Sequence, residues 1–287
     1  MTGNRKIFGA MGIGLLLLVG MVLFGFPLYW MIRGAVISQA LWLKEPIVWI
    51  PAWADVHLTE FANAFLHPEY RLGRGILNSA IIALATMFFN VLFSSMAGFA
   101  LAKMRVPGRR FWIMVLLITI MIPFESMMVS LYLIVARMGM ADTLAGILLP
   151  MSASAFGVII MWRFFQGVPD DLIEAALIDG ADWGTILFKI AMPLATPAIA
   201  TVAVFNFLAG WESFVWPMLI TDPHSRFDVL QKIIAGATFE STAGTSGNTQ
   251  WPFLMAMALI AVMPVLVMFI FGHKYFVKGL TSGAIKG

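Results

Sequence analysis

Six apolar stretches of roughly 20 residues each, set apart by polar segments, dictate the solvent in which this chain folds. They run approximately from Ile7 to Arg33, Ile76 to Leu101, Phe111 to Val135, Thr143 to Arg163, Leu194 to Leu219 and Pro252 to Tyr275. Inside a bilayer every backbone N–H and C=O must be paired within the protein, and segments of this length achieve that as helices. The expected fold is an all-α polytopic membrane protein with six transmembrane helices. Composition agrees: 61% of the 287 residues are hydrophobic and only 11% are charged. The first stretch is too long, and too poor in a small-residue cleavage site, for a removed signal peptide, so it reads as a retained anchor. With no cysteine in the chain, disulfides, thiolate metal sites and cysteine nucleophiles are excluded.

An even number of spans puts both termini on one side, and the basic residues choose the side. The N-terminus, the 102–110 loop, the 164–193 segment and the C-terminal tail together hold eleven of the 18 lysines and arginines, among them Lys103, Arg105, Arg109, Arg110 and Lys189. The other seven are diluted over longer connections that carry most of the acids. The expectation is a multi-pass protein of a bacterial inner membrane with both termini in the cytoplasm. Net charge is +3 with the basic residues scattered, which gives no footprint for nucleic acid.

The organisation is one helical membrane domain without internal repeats. Residues 1–75 read as the first helix and first external loop, and residues 76–287 as the core, with a cytoplasmic segment at 164–193 and a cytoplasmic tail at 276–287. Two external excursions stand out, at about 34–75 and 220–251. The second contains TFESTAGTSGNTQW, whose Gly, Ser and Thr favour turns and a flexible loop, either a solvated connector or a contact surface. Catalytic chemistry is not encoded. The histidines at 57, 67, 224 and 273 stand at unrelated positions without partnered acids, so neither a metal site nor a catalytic cluster is expected. The phosphate-cradling G-x-x-x-x-G-K-[ST] loop is absent from the sequence, so energy from ATP has to come through a partner.

The segment 174–193, EAALIDGADWGTILFKIAMP, is too polar for lipid and is spaced as two short helices. Pro169, Asp170 and Asp171 suit a helix start. Ala175 and Ala176 offer small side chains to an approaching surface. Gly180 suits a left-handed stop, and Asp182 suits the cap of a second helix through Trp183, Ile186, Phe188 and Ile190, up to Pro193. The product is a rigid cytoplasmic helix, turn and helix joined to two spans. An amphipathic helix lying on the bilayer surface fits the same spacing.

Glu174, Ala175, Ala176, Gly180, Ile190 and Pro193 match E-A-A-x3-G-x9-I-x-L-P, with Met192 in place of the leucine. That pattern resembles the coupling loop of ABC-importer permeases. EAALIDGA, GWESFVWPMLIT at 210–221 and YFVKGLTSGAIKG at 275–287 resemble the carbohydrate-uptake branch, in the type similar to the smaller membrane subunit of the maltose importer. LNSAIIA at 77–83 and ALAKMRVPGRR at 100–110 fit the same family, so the resemblance extends from about residue 77 onward.

The resemblance implies a type I ABC-importer transmembrane domain. It carries the ATPase-coupling role to Glu174, Ala175, Ala176, Asp179, Gly180 and Ala181, with Glu174 paired to a basic residue in a groove of a cytoplasmic ATPase. It implies a heterodimer with a second homologous permease, two ATPase copies, an extracellular or periplasmic solute-binding protein and membrane lipid as neighbours. ATP and Mg would be bound by the ATPase, with no cofactor and no catalytic residue in this chain. The tail GLTSGAIKG resembles one that reaches the ATPase interface; a frayed terminus is its plainer reading. The external loop is expected to meet the binding protein between Thr238 and Trp251, with Thr238, Phe239, Glu240, Ser241 and Trp251 as contacts.

Two acids fall inside expected spans, where a charge is costly. Glu125 follows Pro123, and Glu212 occupies a position where the family more often has asparagine. Each is either a structurally satisfied carboxyl or a cavity group that bonds sugar hydroxyls, with Trp211, Trp216 and Tyr132 available to stack on sugar faces and Asn206 nearby in sequence. The cargo implied is a sugar or oligosaccharide, with a glycerol phosphodiester or an acidic polysaccharide as alternatives. A secondary transporter would be expected to show inverted repeats, broken helices or several intramembrane charges, and two isolated acids support it weakly.

Overall fold

The computed structural model of the protein describes residues 2–243 and 249–284, with side chains described for 11–242 and 249–270. Every described element is helical. In chain order they are α1 (Thr2–Ala35), α2 (Gln39–Trp42), α3 (Thr59–Leu66), α4 (Leu72–Lys103), α5 (Arg109–Met121), α6 (Phe124–Arg137), α7 (Leu144–Met151) and α8 (Ala155–Gln166). There follow α9 (Asp170–Ile178), α10 (Trp183–Thr185), a π turn at Ile186–Ala191, α11 (Met192–Leu194), α12 (Thr196–Trp211), α13 (Val215–Ile220), α14 (Leu230–Ala243) and α15 (Trp251–Ala284).

The expected six spans appear as three straight helices and three bent pairs. Met11–Ala35, Leu72–Lys103 and Trp251–Ile270 are long and apolar enough to cross a membrane unbroken. The pair α5 and α6 bends by 99°, α7 and α8 by 44°, and Trp183–Leu194 with α12 by 86°. Hydropathy sums over a break without sensing it, so the uninterrupted spans expected at 111–135, 143–163 and 194–219 need correction. Pro123 lacks the N–H that would continue α5 and holds an extended ψ of 137°. Pro197 falls in the first turn of α12, directly after the bend at Ala195. The last of these stretches is broken again between Trp211 and Val215.

Contacts divide the chain into two compact units, 1–72 with 233–263 and 73–232 with 264–287. In the first, Ala35, Ala256 and Leu259 form the buried core against Leu28, Met31, Phe61 and Met255. Gly34 lets these elements close up: a Cβ there would meet the Trp42 ring at 2.7 Å and Met255 at 2.9 Å. Gln39 Nε2 donates to the Thr249 carbonyl at 2.7 Å, and Trp42 stacks on Trp251 with centroids 6.3 Å apart.

Over residues 238–243, TFESTA, the expected flexible loop is instead the C-terminal part of α14. Thr238 and Thr242 turn their hydroxyls back onto the Ile234 and Thr238 carbonyls at 2.8 Å, so groups that usually compete with a helix are absorbed by it. Tyr70 OH donates to Glu240 Oε2 at 2.9 Å, and His67 stacks on the Tyr70 ring at 4.3 Å.

In the second unit α4 reaches the break between α7 and α8 and the start of α14 with polar side chains. Asn90 Nδ2 donates to the Met151 carbonyl at 2.7 Å, where α7 ends, and to the Thr86 carbonyl at 2.8 Å. Trp216 Nε1 donates to the Ile147 carbonyl at 3.2 Å. Asn78 Nδ2 donates to the carbonyls of Arg226 and Asp228, and Ser79 Oγ accepts from the Leu230 N–H at 2.9 Å, capping α14. Close approach depends on glycines: a Cβ on Gly98 would lie 2.7 Å from both Met161 Cβ and the Trp162 nitrogen, and one on Gly210 would lie 2.8 Å from Ala83 Cα. Such small residues are how helices associate where lipid removes the hydrophobic drive.

Two measurements follow. Gly98→Val forces α4 away from α8 and costs about 1–3 kcal/mol, read as a lower Tm of the purified protein. Gly73→Ala, in α4 where a Cβ meets nothing within 4 Å, does not lower Tm. For Tyr70, partial burial, then the bond to Glu240 and that residue's charge, push the phenol from 10.0 up to about 12. A raised pKa means that the bond contributes fully below the ordinary value and is lost as pH rises through about 12. The difference in phenolate absorbance between wild type and Tyr70→Phe should titrate at about 12, and Glu240→Gln should bring the midpoint down. A wild-type midpoint at the ordinary value would refute the bond.

Candidate functional site

The elbow at 170–193 is built as its spacing indicates, with one change of face. Asp170 and Asp171 occupy the first turn of α9, at the positive end of its dipole. Asp170 pairs with Lys103 Nζ, which also donates to the Val168 carbonyl, so the end of α4 is tied to the start of the elbow. At the other end Gly180 has φ +84°, a conformation that side chains rarely adopt. Ala181 N–H donates to the Ala176 carbonyl at 2.9 Å and Gly180 N–H to the Leu177 carbonyl at 3.1 Å, the paired bonds of a Schellman stop. Asp182 then caps α10 by accepting from Thr185 N–H at 3.3 Å, and a hydrogen bond with the Thr185 side chain, followed by that backbone bond, holds its carboxyl below the ordinary value. The π turn after it was not foreseen.

Ala175 and Ala176 do not share a surface. Ile173 and Ala176 are buried in a cluster with Phe99, Met161, Phe165 and Val202, which draws on α4, α8 and α12. Ala176 is therefore an anchor, and the expectation that it meets an outside surface is corrected. The open facet carries Asp171, Glu174, Ala175 and Ile178, spaced i, i+3, i+4, i+7 on one side of the helix. Ile178 is 86% exposed. Asp179 forms the C-cap and is exposed, and Ala181 is half-buried against the cluster.

The residues proposed for a sugar-binding cavity separate by exposure. Trp211 and Trp216 are 2% and 1% exposed, so neither ring face is available for stacking, contrary to expectation. Trp216 fills a core with Ile82, Met128 and Ile147, and Tyr132 packs against that core half-buried. Asn206 is buried and donates to the Val202 carbonyl of its own helix at 2.8 Å. Glu125 and Glu212 are both exposed, and both sit at helix breaks. Glu125 lies in the first turn of α6, where the helix dipole favours an anion. Glu212 is the C-cap of α12, the end that disfavours one.

On the first unit, Glu240 and Ser241 line a cleft of about 500 Å3 together with Glu60, Asn63, His67, Tyr70 and Gln250. The sequence nominated only the first two; hydropathy and composition carry no signal that joins residue 60 to residue 240. Thr238 and Phe239 are exposed on the same helix, and Trp251 sits in the aromatic row beside Trp42. The proposed tail contacts at 276–287 fall outside the described side chains, as do residues 244–248 of the loop.

Residues 90–282 match the family model for the binding-protein-dependent transport system inner membrane component. The chain is 30% identical over 288 residues to the sn-glycerol-3-phosphate transport system permease protein UgpE of Brucella abortus (strain 2308), covering 98% of this chain and 99% of that one. It is 33% identical over 210 residues to the arabinooligosaccharides transport system permease protein AraQ of Halalkalibacterium halodurans, covering 73% of each. A solved structure of a bacterial ABC transporter involved in import of the acidic polysaccharide alginate superposes with a TM-score of 0.82, at 22% identity, over 96% of this chain and 99% of its counterpart. Helix breaks are present here, so their absence cannot tell this chain from a secondary transporter; the family match does. The chain belongs to the inner-membrane permease components of binding-protein-dependent ABC transport systems, as a multi-pass transport subunit.

Proposed function

We propose that this chain is one of two different permease subunits of an ATP-driven importer, and that α9 receives the stroke of a cytoplasmic ATPase. The observation that carries this reading is the division of α9: Glu174, Ala175 and Ile178 point outward while Ile173 and Ala176 are rooted in the cluster joining α4, α8 and α12. A push on the outer facet is transmitted to three membrane helices through close packing. Glu174 pairs with a basic residue of the ATPase groove, and Ile178 fills an apolar hollow beside it. One such helix per chain and a pair of ATPases call for a second permease. ATP and Mg belong to the ATPases.

The two states of alternating access differ in which side of the shared cavity is open. Glu212, exposed at the unfavourable end of α12, is the cavity group best placed to bond a hydroxylated cargo. The relatives named for arabinooligosaccharides and sn-glycerol-3-phosphate support a sugar, an oligosaccharide or a related polyhydroxylated solute. The distribution of basic residues supports cytoplasmic termini. On that orientation the cleft with Glu240 and Ser241 faces outward, toward the solute-binding protein.

Glu174→Lys should leave insertion intact and abolish both uptake and the stimulation of ATP hydrolysis by loaded binding protein. Stimulation at the wild-type level in that variant would sink the coupling assignment. A single cysteine at Ile178 should crosslink to one in the ATPase groove, whereas one at buried Ala176 should not. The reverse pattern would mean that α9 docks by its other side.

A further inference from the structure

The first external excursion, expected to lie in water, runs back along the membrane anchor. From Met11 to Pro27 α1 is almost entirely exposed, the pattern of a helix set in lipid. Near its outer end three interactions strap residues 48 and 49 against it. Arg33 Nε donates to the Val48 carbonyl at 2.8 Å, Tyr29 OH donates to the Trp49 carbonyl, and the Trp49 ring lies 5.8 Å from Trp30 and 6.3 Å from Phe26. Arg33 is itself buried, with its guanidinium over the Trp30 and Trp42 rings at 4.8 and 5.6 Å, so the strap is held from inside.

Helix geometry converts these contacts into depth. The apolar stretch from Ile7 to Ala35 lies wholly within α1; at 1.5 Å per residue it is about 43 Å long against a hydrocarbon core of about 30 Å, leaving about 7 Å to spare at each end. Trp30 lies about 8 Å and Phe26 about 13 Å below the end of the helix. Trp49 therefore sits at or below the level where acyl chains begin. The segment has the composition for it. Between the charged pair Lys44 and Glu45 and the charged Asp55, the residues PIVWIPAWA carry no charge. Away from α1 this stretch presents Ile47, Trp49, Ile50 and Trp53 to the exterior, with Ile50 83% and Trp53 90% exposed. Tryptophan prefers the membrane interface, where its ring is in apolar surroundings and its N–H meets water or headgroups.

We propose that residues 47–53 form a lipid-binding surface in the outer leaflet, with Trp49, Ile50 and Trp53 inserted at the boundary between headgroups and acyl chains. The uncharged middle dips below the headgroups, and Lys44, Glu45 and Asp55 mark where the chain enters and leaves them. The surface is continuous with the lipid-facing side of α1, which makes lipid its occupant. This depends on α1 spanning the membrane and not on the coupling role of α9.

The cysteine-free chain makes the test direct. Single cysteines at Ile50 and at Trp53 are spin-labelled in the assembled complex, in nanodiscs of phosphatidylethanolamine and phosphatidylglycerol. Collision with oxygen is compared with collision with a water-soluble nickel chelate. Labels at Phe24, on exposed α1, and at Glu240, in the outer cleft, serve as lipid and water references. Oxygen should be favoured at 50 and 53, to a degree between the two references and nearer to that of Phe24. Nickel access equal to that at Glu240 would overturn the proposal by returning the segment to water. Exclusion of both relaxers would overturn it by showing protein cover, as from the second permease. Tryptophan quenching by brominated phosphatidylcholine provides a second readout without a cysteine. It should be weaker in Trp53→Phe than in wild type, and equal quenching would count against insertion.

Discussion

A broken helix in a membrane leaves carbonyl and amide groups that lipid cannot satisfy, and the rest of this structure depends on how one helix solves that problem. Breaks near Ile122, Ser152 and Ala195 interrupt three apolar stretches, and a backbone group left unpaired in hydrocarbon costs several kcal/mol. The unbroken helix α4 answers at one of these bends, between α7 and α8, and at the start of α14. Asn90 closes the end of α7, and Asn78 and Ser79 pin the approach to α14 and cap it. Trp216 contributes its indole N–H to Ile147 from the other side. These residues look like impurities in an apolar sequence; in the fold they make sharply bent spans affordable.

The same helix is fastened to the elbow. Its C-terminal Lys103 grips Asp170 and the Val168 carbonyl, and its Phe99 belongs to the cluster that holds Ile173 and Ala176. The elbow is thus clamped at its start by a partly buried ion pair, at its stop by the Schellman bonds around Gly180, and along its inner side by close packing. A helix of nine residues would be marginal by itself. Held in this way it can pass on a push as a rigid element, which a helix resting on a bilayer surface could not do.

In the unit formed by 1–72 and 233–263 the arrangement differs. Polar contacts there join residues far apart in sequence, such as Tyr70 with Glu240 and Gln39 with Thr249. They bring segments from the excursions at 34–75 and 220–251 together around a cleft lined by Glu60 and Glu240, and residues 238–243, expected as loop, are helix. The anchor α1 carries its own strap of tryptophans, fastened by Arg33.

What the sequence by itself determined was whatever depends on local chemistry and on burial in lipid. The six apolar segments, the stop at Gly180 and the cap at Asp182 were all legible, because hydropathy, a left-handed glycine and a capping carboxylate act within a few residues. Tertiary structure decided the rest. It turned three spans into bent pairs, since a mean hydropathy cannot register a missing N–H at Pro123. It split Ala175 from Ala176, since only packing determines which side of a short helix meets the core. It buried Trp211 and Trp216, which the sequence offered as sugar platforms, and left Glu212 exposed. Which groups meet across long separations is a matter of closure and packing, and no local pattern carries that information.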